Sequence, residues 1–439
     1  MKNNNISYCY ISGMHGDVTV PFMDKFFKEK NTNFYVITEN YSDFLIWKKD
    51  DIDVIYLYDQ RFIFNQKIYD KISREIYDNI SLENLILTEY SYYKIPKFIL
   101  KSKVEKILKK LSGVFDQYEF NYVIQKPGGE ILRRIIYNLE NSEYVKENYT
   151  IGESYLYNLS VLYEGEFKQF KKMKFKKSST EEVEKLLDES FSNKEFTYNS
   201  SLPKPKKSKA EVLKDLFFAK NYNIIFSYFS IRLNNEIVGK LRRTFTNFIY
   251  KNIDEIDSKS FYFFPLNVQA ESELYVRNYV FSEQSRTLND LITLIPKNKK
   301  LVVKEHPGFS KSLSLYQIYR LYCKGVVFAD PYIKSKELIL KSDGVMAVSS
   351  TVLIESIVYE KPILILGNWS YGKYILNRSM EFDIETIQCF LKYTNNFKVD
   401  KIEFFKKLYE TYLINGIGYK DHEMLKKYLD EIYNLEDKK

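Results

Sequence analysis

The chain has 439 residues, more than one ordinary hydrophobic core organises, so two or three domains are expected. Hydrophobic residues make up 45% and charged residues 28%, which excludes a disordered chain. The formal net charge of +8 has two interpretations: attraction to a phosphate-bearing or membrane-bound anionic partner, or a lysine-rich solvated surface. The lysines are spread out, without a helix-turn-helix, zinc-finger or RNP pattern, which disfavours a nucleic-acid partner.

The cysteine spacing and the lack of long apolar segments predict where in the cell the protein is located. Cys9, Cys323 and Cys389 are far apart and form no CxxC pair, which disfavours a disulfide framework or a zinc site and suits a reducing cytoplasm. The N-terminus lacks the apolar core of a signal peptide, and no run of eighteen apolar residues exists. We expect a cytoplasmic protein that does not span a membrane and holds no metal or cofactor.

Predicted strands and helices alternate over residues 1–160. The predicted strands are 6–12, 34–38, 53–58, 82–90 and 120–125. The predicted helices are 21–30, 98–112 and 129–140, the first with a proline in its first turn. This alternation predicts an α/β domain with a parallel sheet and right-handed crossovers.

The next segment, 161–257, is predicted to be a basic linker and a helical bridge. Residues 167–177 are rich in lysine, and 178–191 begin like a helix with a capping box. Residues 199–211 are rich in proline, serine and lysine and are predicted to form an exposed linker.

A second Rossmann-like domain is predicted over 258–380. Its predicted strands are 261–266, 325–330, 344–350 and 361–367, and 300–308 is predicted to be a strand that ends in a loop. Its predicted helices are 282–296, 314–323, 334–342 and 351–360. The remaining segment, 381–439, is predicted to be helical.

Lys304-Glu305-His306-Pro307-Gly308 lies where a predicted strand ends. Ligands of open parallel sheets bind outside the carboxyl ends of the strands, and a histidine there can donate to a phosphate oxygen. The alternative is a turn histidine before a proline.

Ser349-Ser350-Thr351 lies at a later strand-to-helix junction, followed one turn on by Glu355. Free backbone N–H groups and the helix dipole make such a junction an anion site, to which hydroxyls add donors. The alternative is plain N-capping by serine and threonine. Glu355 is placed to accept from a ribose or a base, unless it faces solvent. Together with the histidine segment, this junction is typical of a nucleotide phosphate pocket.

A third polar segment follows the strand that begins at residue 261. In Phe264-Pro265-Leu266-Asn267-Val268-Gln269-Ala270-Glu271, we expect Gln269 and Glu271 at a domain cleft. The alternative is a loop with incidental polar residues.

The order and spacing of these three segments resemble the capsule polysaccharide synthesis family over roughly 260–370, and more loosely over the first 160 residues. That family includes the capsular Kdo transferases, which resemble bacterial sialyltransferases of the GT-B fold in carrying an HP motif and a Ser/Thr motif for a CMP-sugar. The resemblance implies two Rossmann-like domains whose parallel sheets face each other across a cleft. It implies that a nucleotide-activated sugar is bound by His306, Pro307, Ser349, Ser350, Thr351, Glu355, Gln269 and Glu271.

The resemblance also implies a catalytic base in the first domain, from an acidic pair followed by glycine. The matching segment is Leu87-Thr88-Glu89-Tyr90, in which Glu89 occupies the second acidic position, Thr88 replaces the first acid and Tyr90 replaces the glycine. Asp17, in a loop that resembles the family's first Gly-rich loop, is the rival base. Glu130, after Gly128-Gly129, is a third candidate.

The implied reaction is inverting, metal-independent transfer to a glycan or glycolipid acceptor of a cell-surface polysaccharide, with the inner membrane surface as a further partner. Asp51-Ile52-Asp53 has the spacing of a metal-binding DxD motif, but it precedes a predicted strand instead of following one. Three alternatives stay open: a UDP- or GDP-sugar transferase, an epimerase of the same fold, and a catalytically inactive homologue that binds a nucleotide-sugar or glycan in capsule assembly.

Overall fold

The computed structural model describes residues 6–12, 19–93, 95–126, 128–154, 156, 159–164, 169–172, 177–191, 244–246, 248–256, 260–268, 277–307, 312–376, 383–415 and 422–436. Contacts between residues divide the chain into two compact units. Unit 1 contains Met1–Phe229 and Tyr409–Lys439, and unit 2 contains Ser230–Leu408.

Both units are built from a sheet with helices, so the fold is α/β. The strands are β1 (Ser7–Ser12), β2 (Asn33–Thr38), β3 (Val54–Tyr56), β4 (Phe120–Gln125), β5 (Val145–Glu153), β6 (Leu159–Glu164), β7 (Gln169–Phe170), β8 (Tyr250–Lys251), β9 (Phe261–Pro265), β10 (Lys300–Lys304), β11 (Val327–Ala329), β12 (Gly344–Ala347), β13 (Ile363–Ile365) and β14 (Leu413–Asn415). The helices are α1 (Val20–Glu29), α2 (Tyr41–Lys49), α3 (Gln66–Asn79), α4 (Leu82–Tyr93), α5 (Lys97–Phe115), α6 (Ile131–Tyr137), α7 (Thr180–Phe191), α8 (Gln284–Leu294), α9 (Leu315–Cys323), α10 (Ser335–Lys341), α11 (Thr351–Val358), α12 (Ser370–Ile375), α13 (Ile384–Lys392), α14 (Lys401–Tyr412) and α15 (His422–Glu436).

The sheet of unit 1 has the order β14-β6-β5-β4-β1-β2-β3, with β7 paired to β6. Strands β5, β4, β1, β2 and β3 are parallel, whereas β6 pairs antiparallel with β5, β7 and β14. The chain moves from β1 to β2 and β3 on one side and returns to β4 on the other. The strand order therefore reverses between β1 and β4, where open α/β sheets bind ligands.

Side chains of β1 alternate between two cores, one on each face of the unit 1 sheet. Cys9 and Ile11 pack into one cluster of buried residues, together with apolar residues of α3, α4, α5 and α6. Tyr8 and Tyr10 pack into the other, with residues of α1, α2 and α15. A strand buried on both faces is typical of a parallel sheet covered by helices on both sides.

The expectation that residues 82–90 form a strand is wrong, because this segment lies in α4. The Ser81 hydroxyl accepts a hydrogen bond from the Asn84 N–H at 3.3 Å, in the manner of an N-cap. Leu85 and Ile86 are buried, and the apolar positions recur at helical spacing. Glu89 therefore sits within a helix and not at the end of a strand.

The expectation that the segment after residue 380 is only helical is also incomplete. β14 adds to the unit 1 sheet beside β6, in register from Leu413 with Val161 to Asn415 with Leu159. Helix α15 packs against α1, where Lys30 pairs with Asp430 at 3.2 Å.

The sheet of unit 2 is entirely parallel, in the order β13-β12-β9-β10-β11-β8. From β9 the chain proceeds to β10 and β11 on one side and returns to β12 on the other. The reversal of strand order therefore falls between β9 and β12. Tyr262, Phe264, Leu301 and Val303 point into a core cluster shared with α8, α9 and α13, while α10 and α11 contact β9, β12 and β13.

Candidate functional site

Polar residues follow three neighbouring strands of unit 2 at their carboxyl ends. Asn267 follows β9, Lys304 ends β10 with His306 two residues on, and Ser349 follows β12 at the start of α11. β9 pairs with both β10 and β12, so these residues lie at one sheet edge, beside the reversal of strand order. We call this group, with Ser350, Thr351 and Glu355 of the α11 region, the switch-point site.

Asn267 links the ends of β9 and β12. Its side-chain amide donates to the carbonyl oxygen of Ser349, and its own N–H donates to Gln284 Oε1 at 2.8 Å. The Ser312 hydroxyl donates to the Asn267 carbonyl at 3.0 Å. Asn267 is buried, yet among the described residues its Oδ1 atom has no hydrogen-bond partner. Buried acceptors are normally satisfied, so this oxygen is a candidate contact for a ligand donor.

The hydroxyls that precede α11 have different surroundings. Ser349 is buried, and its Oγ accepts from the Asn278 amide at 3.2 Å. Ser350 is the N-cap, and its Oγ accepts from the Val352 N–H at 3.3 Å, so the capping interpretation describes a contact that exists. A capping hydroxyl still holds its own proton, which it can donate to an anion. Thr351 is exposed.

The segment after β10 contains one buried carboxylate, Glu305, followed by two exposed residues, His306 and Pro307. Glu305 is buried, is hydrogen-bonded to the Tyr250 hydroxyl and accepts from the Leu313 N–H at 3.4 Å. His306 and Pro307 are exposed. Partial desolvation, and to a smaller extent the Lys304 ammonium, lower the pKa of His306 from 6.5. The imidazole is therefore largely neutral at pH 7 and can donate one N–H.

Lys304 and Glu355 carry charges that burial disfavours. Burial lowers the pKa of Lys304, opposed by the nearby carboxylates of Glu355 and Asp330. Burial raises the pKa of Glu355 to about 7, opposed by Lys304. Ionisable groups perturbed by burial beside a ligand-binding edge of a sheet are typical of functional sites.

Glu89 of α4 is buried and fully engaged. Its two carboxylate oxygens lie 2.9 and 3.0 Å from Lys103 Nζ, and Oε1 also accepts from the Ile131 N–H at 3.1 Å. Ile131 begins α6, so this carboxylate caps a helix as well as pairing with a lysine. Gly129 permits this packing, because a Cβ there would lie 2.6 Å from the Thr88 methyl carbon. These contacts are those of a structural ion pair.

Two other carboxylates of the same region are also paired. Glu39, just after β2, accepts from the Tyr58 hydroxyl at 2.6 Å and lies 3.7 Å from Lys103. Burial and the Glu39 carboxylate raise the pKa of Tyr58 well above its usual value. Glu130 pairs with Arg133 at 3.1 Å.

Three predicted site residues, Asp17, Gln269 and Glu271, lie outside the described residues. Within the described part of the chain, no group of three or more histidine, cysteine, aspartate or glutamate side chains is arranged to hold a metal ion. None of the helices in that same part is long and apolar enough to cross a bilayer.

The sequence did not identify Lys304 or Asn267 as site residues, although both belong to the polar segments 304–308 and 264–271. Lys304 follows three apolar residues of a buried strand, and that position is the signal that could have identified it. Asn267 gave no comparable signal, because an asparagine after a strand is common in turns.

Comparisons with known proteins add no sequence relative. No protein-family model matches the chain, and no curated protein matches it. Among solved structures, the chain is similar to Thermosulfurimonas dismutans KpsC, beta Kdo 2,7 transferase, with 12% identity, a TM-score of 0.37 and coverage of 75% of this chain and 90% of that one. It is similar to Anabaena Alr3699/HepE in complex with UDP-glucose, with 10% identity, a TM-score of 0.33 and coverage of 98% and 99%. The S. aureus MnaA-UDP co-structure gives 10% identity, a TM-score of 0.28 and coverage of 98% and 97%. Similarities of this size carry no weight for the activity of the chain.

Proposed function

We propose that the protein is a glycosyltransferase that binds a nucleotide-activated sugar at the switch-point site. One observation carries the proposal: Asn267, Lys304, His306 and Ser350 gather where the strand order of a fully parallel sheet reverses. That edge binds ligands in open α/β sheets, and a capped helix start provides N–H donors for a phosphate.

In the proposed reaction, the donor phosphate lies against the start of α11. The neutral His306 imidazole and the Ser350 hydroxyl donate to phosphate oxygens, and Glu355 accepts from the ribose. These contacts strengthen as negative charge develops on the leaving phosphate, which accelerates transfer by electrostatic stabilisation. Transfer is inverting and needs no metal ion. The resemblance to capsular Kdo transferases makes a CMP-sugar such as CMP-Kdo the first donor to test, ahead of UDP- and GDP-sugars.

The base that deprotonates the acceptor hydroxyl is assigned by resemblance to Glu89, with Asp17 as the rival. For Glu89 to act, its carboxylate has to leave Lys103 and the Ile131 N–H. A base must reach the acceptor proton within hydrogen-bonding distance. This pairing supports a second candidate function, a catalytically inactive protein that binds a nucleotide-sugar or glycan in capsule assembly.

The proposed acceptor is a glycan or glycolipid of a cell-surface polysaccharide, reached at the inner face of the cytoplasmic membrane. The net charge of +8 supports attraction to anionic lipid. Flotation with anionic liposomes should retain the protein at low salt and release it at high salt, because salt screens such attraction. Absence of binding at low salt would exclude the membrane partner and leave the donor site untouched.

The proposed function is tested by incubating the purified full chain with CMP-, UDP- and GDP-sugars. Nucleotide release and thermal shift are read for each donor. Release with one nucleotide class supports the transferase and names the donor. A thermal shift without release, even with glycan acceptors present, supports the binding protein. Neither signal with any donor contradicts both functions.

A further inference from the structure

Lys304 ends β10 with its side chain buried at the carboxyl edge of the unit 2 sheet. The residue is 8% exposed. Within the described ranges, its ammonium forms neither a hydrogen bond nor an ion pair. Taking an ammonium out of water is costly, and burial accordingly lowers the pKa of Lys304, opposed by the nearby carboxylates of Glu355 and Asp330. A bound anion would supply the direct partner that this ammonium lacks among the described residues.

The register of the strands shows which face Lys304 shares. Lys304 is paired with Pro265 of β9, and side chains of paired residues in parallel strands lie on the same face of the sheet. Asn267 follows two residues after β9 ends at Pro265, and its amide contacts Ser349. Glu355 of α11 is close enough for the Lys304 ammonium to lower its pKa. Lys304 and Asn267 therefore lie at the ends of neighbouring strands, at the sheet edge where α11 begins.

We propose that Lys304 is the ion-pair partner of the phosphate group of the bound nucleotide. The inference rests on the proposed function and adds to it a charge that neither the histidine nor the serine segment supplies. His306 is largely neutral at pH 7, and the start of α11 provides only partial positive charge. Lys304 is thus the formal cation of the described site, and a nucleoside lacks the group with which it pairs.

Calorimetric titration of the full chain with CMP, UMP and GMP, and with the three nucleosides, tests this contact. Lys304→Met keeps the aliphatic stem and removes the charge. It should weaken the binding of the preferred nucleotide by about 10- to 100-fold, the loss expected for a hydrogen bond to a charged group, and leave the nucleoside unaffected. Lys300→Met, at the opposite end of the same strand, is the matched control and should bind like the wild type.

The outcomes separate this contact from the proposed function. Wild-type protein that binds no nucleotide overturns the proposed function and the contact together. Phosphate-dependent binding that survives Lys304→Met overturns the contact alone. The melting temperature of Lys304→Met checks for misfolding, because a folded protein that has lost phosphate-dependent affinity assigns that loss to the contact.

A pH profile provides an independent test. Burial lowers the pKa of Lys304, so its ammonium is lost earlier than that of an exposed lysine as pH rises. Nucleotide affinity should fall over this alkaline range, and Lys304→Arg should abolish the fall because arginine stays charged. The other facing groups are His306, Glu355 and Asp330, which are the same in the two proteins. An identical alkaline loss in Lys304→Arg would assign it to another group.

Discussion

Both sheets have an edge where the strand order reverses, and the charged side chains at these two edges differ in how they are paired. In unit 1, Glu89 is held by Lys103 and the start of α6, and Glu39 is held by Tyr58. In unit 2, the Lys304 side chain is buried and its ammonium forms no hydrogen bond or ion pair among the described residues. Buried oxygens without a hydrogen-bond partner among the described residues occur in both units: Asn267 Oδ1 in unit 2, and Thr88 Oγ1 and Gln125 Oε1 in unit 1. Groups that satisfy one another stabilise a fold, whereas groups left unsatisfied gain most from a ligand. The comparison favours unit 2 as the site of nucleotide binding and a structural role for Glu89.

The largest expected effect is on the stability of unit 1. Glu89→Gln removes the charge that compensates Lys103, and breaking a buried pair from one side typically costs about 3–5 kcal/mol. Because Glu39 lies 3.7 Å from Lys103, we expect a loss near the lower end of that range. Urea denaturation of the full chain measures it, and a Glu89→Gln/Lys103→Met double variant should recover part of the loss.

Glu83→Gln is the matched control, because Glu83 is an exposed residue of the same helix that pairs with Lys101 at 2.7 Å. Exposed pairs contribute about 0–1 kcal/mol, so its effect should be small. If Glu89→Gln leaves stability unchanged and slows transfer by about two to four decades, Glu89 is the base, and the conclusion that its role is structural is wrong.

The next largest effect concerns the exposed His306 of unit 2. His306→Ala removes a donor to the leaving phosphate and should lower transfer by about a hundredfold, as for the loss of one donor to a developing charge. The ring is exposed, so the melting temperature should change little. His422→Ala in unit 1 serves as the control in the same assay of nucleotide release. A folded His306→Ala protein with full activity would remove His306 from the site.

The alternation of strands and helices was predictable in both halves because apolar runs there match the buried strands. The helix over residues 82–90 was not predicted, because a short apolar run fits either a strand or a buried helix. Ser81 followed by Glu83 is a helix-start signal that favours the helix. β14 pairs with a strand about 250 residues earlier in the sequence, and no local pattern encodes that choice.

The site was predictable in its position but not in its chemistry. The hydroxyls before α11 and His306 follow strands, which is enough to place them at a sheet edge. Whether a polar side chain is satisfied depends on partners distant in sequence, such as Lys103 for Glu89. For that reason the sequence pattern indicated Glu89, whose carboxylate is paired, and gave no indication of Lys304, whose ammonium has no hydrogen bond among the described residues.

A smaller effect distinguishes capping from phosphate binding at Ser350. Ser350→Ala and Ser314→Ala each remove an N-cap hydroxyl in unit 2, since Ser314 caps α9 through the Gln317 N–H at 3.2 Å. Each should lower stability by about 1 kcal/mol. Only Ser350→Ala should also weaken nucleotide binding, by roughly tenfold, the value of one hydrogen bond to a charged group. Equal losses of stability with unchanged nucleotide affinity in both proteins would leave Ser350 as a cap and nothing more.

The smallest expected effect is the pH dependence contributed by Glu355. Burial raises the pKa of its carboxyl to about 7, above the ordinary value of 4.5, so the folded state holds this proton more tightly than the unfolded state. Its stabilising contribution is therefore fully present below about pH 4.5 and is lost as pH rises through about 7. Glu355→Gln keeps the shape of the protonated form, so its melting temperature should match the wild type at pH 4.5 and exceed it by a few degrees at pH 9. Glu337→Gln, an exposed carboxyl of α10, should show no such divergence. If Glu355→Gln and the wild type melt in parallel from pH 4.5 to 9, burial does not perturb the Glu355 carboxyl, and the contrast between the two edges rests on Lys304 alone.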